Sequence, residues 1–118
     1  MKIQSYKELI VWQKAVLLSV QIYSLTEQYP REEAYGLVSQ MRRAAVSIAS
    51  NIAEGRCRGT KKDFVQFLRI AFGSGAELET QIEISKRLPK TNSFDYREVD
   101  SLLAEVMRML NAMIEKLQ

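Results

Sequence analysis

The chain has 118 residues, 47% of them hydrophobic and 26% charged, which predicts one globular domain over residues 1–118 and argues against a disordered or fibrous protein. Its single cysteine, Cys57, and its lack of histidine exclude an internal disulfide, a Cys/His metal cluster and a histidine base, so we expect no metal or other cofactor. The formal net charge is +3, and residues 42–69 hold seven basic but only two acidic side chains, so the positive excess lies mid-chain.

The first helix is predicted over residues 5–28. Ser5 followed by Glu8 has the spacing of an N-terminal capping box. Apolar residues then recur at helical spacing on two adjacent lines and predict a wide buried face. The lines are Leu9, Trp12, Val16, Val20 and Tyr23, and Val11, Ala15, Leu18, Ile22 and Leu25. The apolar run near the start is too short for a secretory signal or a membrane span, so we expect a cytoplasmic protein that makes no membrane contact.

The second helix is predicted over residues 36–55. Its apolar stripe is Leu37, Met41, Ala45, Ile48 and Ile52, and Gly55 is predicted to end it in a left-handed conformation. A polar line follows Gln40, Ser47, Asn51 and Glu54. No nucleophile, metal ligand set or second carboxylate accompanies Glu54 in the sequence. We therefore expect Asn51 and Glu54 to fix helix or protomer register by hydrogen bonds, and we disfavour a general base.

The last two helices are predicted over residues 60–88 and 95–117. Thr60 with Asp63 resembles a second capping box, Pro89 follows the third helix, and Asp95 stands near the start of the fourth. No segment alternates as a strand does. Four amphipathic helices with short connections predict an all-α, antiparallel up-down-up-down four-helix bundle.

Small residues on the second and third helices predict a close backbone approach. Gly73 and Gly75 lie inside the third predicted helix, where each glycine costs about 1 kcal/mol relative to alanine. Tight interhelix or intersubunit packing would offset that cost, and a local hinge is the alternative.

Four basic residues, Arg56, Arg58, Lys61 and Lys62, fall in the predicted turn between the second and third helices. Arg56 and Arg58 follow a helix C-terminus, where the helix dipole favours cations. Lys61 and Lys62 open a helix, where the dipole opposes them, so helix stability does not explain them. A bound phosphate would, because a helix N-terminus with nearby cations attracts anions. Phosphate contact and a merely solvated basic end both stay open.

Three further arginines lie near this turn. Arg43 points away from the apolar stripe, and Arg42 lies at its flank. In an antiparallel hairpin, Arg69 is predicted to lie within about one turn of Arg42, which would extend the basic turn into a strip. For Arg42 we favour an ion pair with a carboxylate of a neighbouring helix or protomer. Cys57 is either an incidental cytosolic cysteine, which we favour, or a reactive thiol between arginines.

Two segments resemble a known family: "YKELIVWQKA", and "YPREEAYGLVSQMRRAAVSIASNIAEGRCRGTKKDFVQFLRIAFGSGAELETQ". They resemble the four-helix-bundle proteins encoded in intervening sequences of bacterial 23S ribosomal RNA genes. The superfamily includes the accessory variability determinant of diversity-generating retroelements. The signature residues are Tyr35, Gly36, Leu37, Gln40, Arg42, Arg43, Ala44, Ser47, Ile48, Asn51, Ile52, Ala53, Glu54, Gly55, Phe64, Phe67, Leu68, Ala71, Gly73, Ser74, Glu77 and Leu78.

The resemblance implies a cytosolic four-helix bundle that assembles as a homopentamer. For the retroelement relatives it also implies a basic surface that binds nucleic acid and works with a reverse transcriptase. Phe72 lies where many relatives carry a variable, sometimes basic residue. The resemblance transfers no reaction.

We therefore predict a non-enzymatic, oligomeric protein that binds RNA or DNA. Arg56, Arg58, Lys61 and Lys62 would contact phosphates, with Arg43 and Arg69 in support. No aromatic residue is interleaved with this cluster, so contacts should be mostly to the backbone. The alternative is a protein-interaction scaffold or an accessory subunit of a nucleic-acid enzyme such as a reverse transcriptase.

Overall fold

Four long helices make up most of the computed structural model, which describes residues 5–118. They are α1 (Ile10–Thr26), α2 (Ser39–Cys57), α3 (Lys61–Arg87) and α4 (Arg97–Leu117). This part of the chain contains no strand. The Cα atoms extend over 52 × 21 × 19 Å, the elongated shape of a bundle. The predicted all-α four-helix bundle is confirmed, and the predicted domain includes four residues that lie outside the described part.

The contacts between three pairs of helices show that the two helices of each pair run in opposite directions, because a later residue of one helix meets an earlier residue of the other. The contacts are Met41 with Ser85 and Ser47 with Ser74 between α2 and α3, Gly75 with Met107 and Lys86 with Asp100 between α3 and α4, and Lys14 with Glu105 and Gln21 with Glu98 between α1 and α4. These contacts place α2 antiparallel to α3, α3 to α4, and α4 to α1, which is the order of an up-down-up-down bundle.

One of the two predicted apolar lines of α1 faces the core. Its members Val11, Ala15, Leu18, Ile22 and Leu25 are buried. The other line is not fully buried, and its end lies at the surface: Val20 is 61% and Tyr23 is 44% exposed. The predicted buried face is therefore narrower than the two lines together.

The starts of α1 and α2 differ from the prediction. The Ser5 hydroxyl accepts a hydrogen bond from the Lys7 N–H (3.1 Å) and caps a 3₁₀ turn, Tyr6–Glu8, so the predicted capping box is wrong. Leu9 is extended, and α1 begins only at Ile10. A π-helical turn, Ala34–Val38, precedes α2, which begins three residues later than predicted.

The predicted role of Gly55 is also wrong. Gly55 is buried within α2, which continues to Cys57, and a Cβ atom added to it would lie 2.6 Å from the Phe67 Cβ. The left-handed glycine is Gly59, with φ +87°. Thr60 then caps α3 by accepting from the Asp63 N–H (3.1 Å), as its side chain was predicted to do. Gly55 thus serves close helix packing, and Gly59 serves the turn.

A buried polar network holds the connection between α3 and α4. The Tyr96 hydroxyl donates to the Thr91 carbonyl (2.7 Å), so the Tyr29 hydroxyl is the donor in the 2.9 Å contact between the two tyrosines. Thr91 in turn donates to the Ser85 carbonyl (2.6 Å), and the Tyr29 ring stacks on Phe94. The network ties the end of α1 to both helices of this connection.

This network predicts a loss of stability at alkaline pH. Burial raises the pKa of the Tyr29 phenol above its ordinary value of 10.0. The stability that this neutral phenol contributes is therefore complete below pH 10.0 and is lost as the pH rises toward the folded-state pKa. Urea unfolding between about pH 8 and about pH 11 measures the loss, which should be smaller in Tyr29→Phe. The control is Tyr35→Phe, because Tyr35 is fully exposed; equal alkaline losses in both variants would contradict the prediction.

Two glycine substitutions should separate rigid from adaptable helix contacts. Gly55→Ala is expected to lower the free energy of unfolding by about 2–3 kcal/mol, because the Phe67 Cβ can move only with the α3 backbone. In Gly75→Ala the added methyl meets the thioether of Met107, which can rotate away. Alanine also favours the helix by about 1 kcal/mol, so Gly75→Ala should lie within about 1 kcal/mol of the native protein. Denaturant unfolding measures both, and a Gly55→Ala protein as stable as Gly75→Ala would refute the rigid contact.

Candidate nucleic-acid interface

An open groove of about 910 Å³, here called the α3 groove, lies where α3 begins and α4 ends. It is lined by Lys61, Lys62, Val65, Gln66, Arg69 and Ile70 of α3 and by Leu117 and Gln118 at the end of the chain. The α3 residues form two rows at four-residue spacing, 61-65-69 and 62-66-70, which lie side by side on a helix surface. Each row therefore combines an apolar residue with at least one cation.

The cations of the α3 groove are exposed and unneutralised. Within residues 5–118, Lys61, Lys62 and Arg69 take part in no ion pair, and the Arg69 guanidinium donates to the Gln118 side-chain oxygen. Towards the other end of α3, by contrast, the cations are paired with carboxylates. These pairs are Lys86 with Asp100, Arg87 with Glu83, Lys90 with Glu32 and Arg97 with Asp95. The two ends of α3 therefore differ: its start carries three cations without an ion pair, and the cations at and after its end are paired.

The two arginines of the basic turn do not line this groove. Arg58, the first residue after α2, forms an ion pair with Glu54 (3.0 Å) in the last turn of that helix, and its guanidinium lies 5.0 Å from the centre of the Phe67 ring. The Arg56 Nε atom is buried without a hydrogen-bond partner among the described residues. The four residues of the predicted cluster thus divide into a lysine pair in the α3 groove and an arginine pair at the end of α2.

The predicted ion pair of Arg42 with a carboxylate of a neighbouring helix is wrong for the described residues, and a pair with another protomer stays a prediction. Arg42 donates to the Thr26 hydroxyl (2.9 Å) and to the Tyr23 carbonyl (3.3 Å), and its guanidinium stacks 4.4 Å from the centre of the Tyr23 ring. These groups lie in the last turn of α1, where the negative end of the helix dipole attracts a cation. Arg42 therefore holds the end of α1 against α2.

The predicted strip from Arg42 to Arg69 is wrong as well. Since Ser47 lies opposite Ser74, residue 79 of α3 lies opposite Arg42. Arg69 is ten residues from that level, which corresponds to about 15 Å along the helix and not to one turn. The short turn fixes this register, because it pairs the start of α3 with the end of α2.

Arg43 lies with Gln40 in a separate polar cleft between α2 and α3. The cleft has a volume of about 270 Å³, and Ser47, Glu77 and Gln81 also line it. It contains none of the α3 groove residues. A nucleic-acid contact of Arg43 stays a prediction, and it would be made apart from the lysines.

The structure assigns different contacts to Asn51 and Glu54. Asn51 donates to the Ser47 carbonyl (2.8 Å) and hydroxyl (3.0 Å), and that hydroxyl lies 2.9 Å from the Ser74 hydroxyl of α3. This chain of contacts links α2 to α3, as expected for a residue that holds helix register. Glu54 has no such link to another helix among the described residues, since its partner Arg58 directly follows the same helix.

The two glycines expected at close contacts also differ. Gly75 is buried against Met107 of α4 and allows a close interhelix approach. Gly73 is exposed, and an added Cβ would have no neighbour within 4 Å. An intersubunit contact at Gly73 stays a prediction.

The family model of the 23S rRNA-intervening sequence protein matches residues 7–112. The chain belongs to this family. The fold is also similar to a crystal structure described as a protein of unknown function from the S23 ribosomal protein family of Bacteroides thetaiotaomicron VPI-5482. That similarity has a TM-score of 0.76 at 24% sequence identity and covers 89% of this chain and 98% of the other, and at this identity it concerns the fold alone. No curated protein matches the sequence.

The described part of the chain shows neither a candidate metal-binding group nor a candidate membrane-spanning helix. Its acidic and cysteine side chains form no group of three that is arranged to hold a metal ion. None of its helices unites the length and the apolar character that a bilayer span requires. Cys57 is exposed.

The sequence did not reveal the apolar and amide members of the α3 groove. The helical spacing of Phe64, Phe67, Leu68 and Ala71 predicts the core face of the third helix, and Val65 and Ile70 are apolar residues off that line, which was an available signal. Leu117 and Gln118 are about fifty residues away in sequence and join the groove only because α3 and α4 are antiparallel.

Adjacent arginines provide a test of the role assigned to Arg42. Arg42→Met is expected to lower the free energy of unfolding by about 1–2 kcal/mol, because Thr26 and Tyr23 lose a charged hydrogen-bond donor. Arg43→Met removes the same charge from an exposed neighbour and should change stability by less than about 0.5 kcal/mol. Thermal or urea unfolding gives both values, and equal losses would show that Arg42 does not hold α1.

Proposed function

We propose that the protein is a non-enzymatic, cytoplasmic nucleic-acid-binding bundle that contacts phosphates of RNA or DNA through the α3 groove. The observation that carries this proposal is the set of three exposed cations, Lys61, Lys62 and Arg69, which have no ion-pair partner among the described residues. A phosphate contact of Arg56 and Arg58 would be made apart from the groove, at the end of α2, where Arg58 is paired with Glu54.

The position of the lysines supports an anionic ligand. Lys61 and Lys62 occupy the first turn of α3, where the helix dipole disfavours each cation by about 0.3–1 kcal/mol. Asp63 is the only acidic residue of that turn, and its backbone N–H is capped by Thr60. The first two N–H groups of the helix have no intrahelical acceptor. A phosphate at this point would offset the repulsion between the lysines and the helix dipole. It would accept hydrogen bonds from the lysine ammonium groups and from the two free backbone N–H groups.

Self-association, with the homopentamer as the proposed form, is supported by the outer face of α1. Ile10, Leu17 and Val20 are 54%, 49% and 61% exposed, and the only charged residue of this helix, Lys14, is paired with Glu105. An apolar face without free charge is typical of the core of a protein interface. Five copies would carry a formal charge of 5 × 3 = +15 and repeat the α3 groove five times, so weak contacts would combine.

The same face of α1 favours a second candidate function, a protein-interaction scaffold or accessory subunit of a nucleic-acid enzyme. Such a scaffold would use the apolar surface for a different polypeptide. The two functions separate in purified protein, because a scaffold alone would retain neither RNA nor DNA at low salt.

Phosphate contacts by the two lysines predict a defined salt dependence. The double variant Lys61→Gln/Lys62→Gln should bind more weakly, and the slope of log affinity against log salt should become less negative by about 1 for each phosphate that the variant no longer neutralises. Fluorescence anisotropy with labelled RNA and DNA at several salt concentrations measures affinity and slope together.

The control is the double variant Arg87→Gln/Lys90→Gln. It removes the same charge from exposed positions at the opposite end of α3. A general charge effect would change both double variants equally and would count against a site at the groove. If the native protein retains no nucleic acid at low salt, the proposed function is wrong.

A further inference from the structure

The α3 groove has apolar and amide side chains in addition to its cations. Val65, Ile70 and Leu117 give it an apolar surface, and the amide side chains of Gln66 and Gln118 border it. Ile70 is 45% exposed. A ligand that offered only phosphates would leave this apolar surface in contact with water.

We propose that the α3 groove takes a single nucleic-acid strand, with an unpaired base against the apolar residues and the neighbouring phosphates on the cations. This inference rests on the nucleic-acid binding proposed above and specifies its ligand. A duplex keeps its bases stacked and paired, so it presents mainly its charged backbone to an open groove. A single strand can turn a base into the groove and bury the apolar surface while its backbone follows the basic rows.

The dimensions of the groove agree with such a ligand. Lys61 and Arg69 are eight residues apart, so the basic row spans about 12 Å along α3. At about 3.4 Å per nucleotide of a stacked strand, this length corresponds to three or four nucleotides. The volume of about 910 Å³ lies within the range of sites that enclose small organic groups. The Gln66 and Gln118 amides can donate to and accept from the edge of a base.

The competing occupant, an acidic polypeptide, agrees less well. A helical peptide docks through apolar anchors that recur over at least two turns and needs a matching apolar groove. Here three apolar residues face the ligand, and the lining has three cations and no acidic side chain. A polymer with a regular negative charge on every unit matches this balance better.

The chain offers a matched pair of substitutions for the test. Ile70→Ser removes apolar surface from the groove, and Ile84→Ser does the same on the same helix outside it. The two isoleucines are 45% and 46% exposed, so both variants should fold, which circular dichroism would verify. The probes are a short unstructured RNA, the same strand without bases at its central positions, and an RNA duplex of equal length.

We expect Ile70→Ser to weaken binding of the unstructured strand by about 5-fold or more, because serine removes apolar surface that a bound base would bury. Its binding of the duplex and of the abasic strand should match that of the native protein, and Ile84→Ser should change nothing. A fluorescent base analogue in the strand should respond to the native protein but not to Ile70→Ser.

Two results would overturn the inference and leave the proposed function standing. They are equal affinity of the native protein for intact and abasic strands, and an Ile70→Ser effect that is the same for strand and duplex. Failure of all three probes to bind would instead remove the proposed function. An acidic apolar peptide that displaced the strand and depended on Ile70 would assign the groove to a protein partner.

Discussion

The packing of Gly55 against Phe67 is the contact on which the arrangement of the basic residues depends. Because Gly55 has no side chain, the Phe67 Cβ can approach the α2 backbone more closely than any other residue would allow. The contact lies two residues before the end of α2 and close to the start of α3. Together with the left-handed Gly59, it sets a hairpin with a turn of three residues, 58–60. The short turn and this close approach together fix the register of the two helices.

This register decides which way the start of α3 faces. With Leu68 and Ala71 buried in the core, the rows 61-65-69 and 62-66-70 turn outward. The lysines therefore lie on the opposite side of α3 from Phe67, and Arg58 stays with Phe67 and Glu54. One sequence cluster becomes two surfaces with different chemistry. Only the outward one adjoins the end of α4 and gains a groove.

The fold could be predicted from sequence because it depends on periodicity, whereas the site depends on register and on distant partners. Apolar spacing located all four helices, and the inner line of α1 was correct. The role of Gly55 was mistaken because a glycine near a helix end has the same sequence signature whether it turns the chain or admits a neighbour. Arg42 was mistaken because its acceptors are a carbonyl and a hydroxyl of α1, which leave no charge pattern in the sequence. Leu117 joins the groove through tertiary packing alone.

The distribution of ion pairs distinguishes the two ends of α3. Towards the other end of the helix, basic side chains are matched by carboxylates, and Lys86 and Arg87 also lie in the last turn of α3, where the dipole favours cations. At the start of α3 both conditions are reversed, since Lys61 and Lys62 oppose the dipole and no carboxylate neutralises them within the described chain. Lys86 and Arg87 thus follow the electrostatic preference of a helix C-terminus, whereas Lys61 and Lys62 go against that of an N-terminus, which costs stability at the start of α3. Within the described chain Asp63 shares this turn but forms no ion pair with either lysine, and the polyanion proposed for the α3 groove would offset the remaining cost.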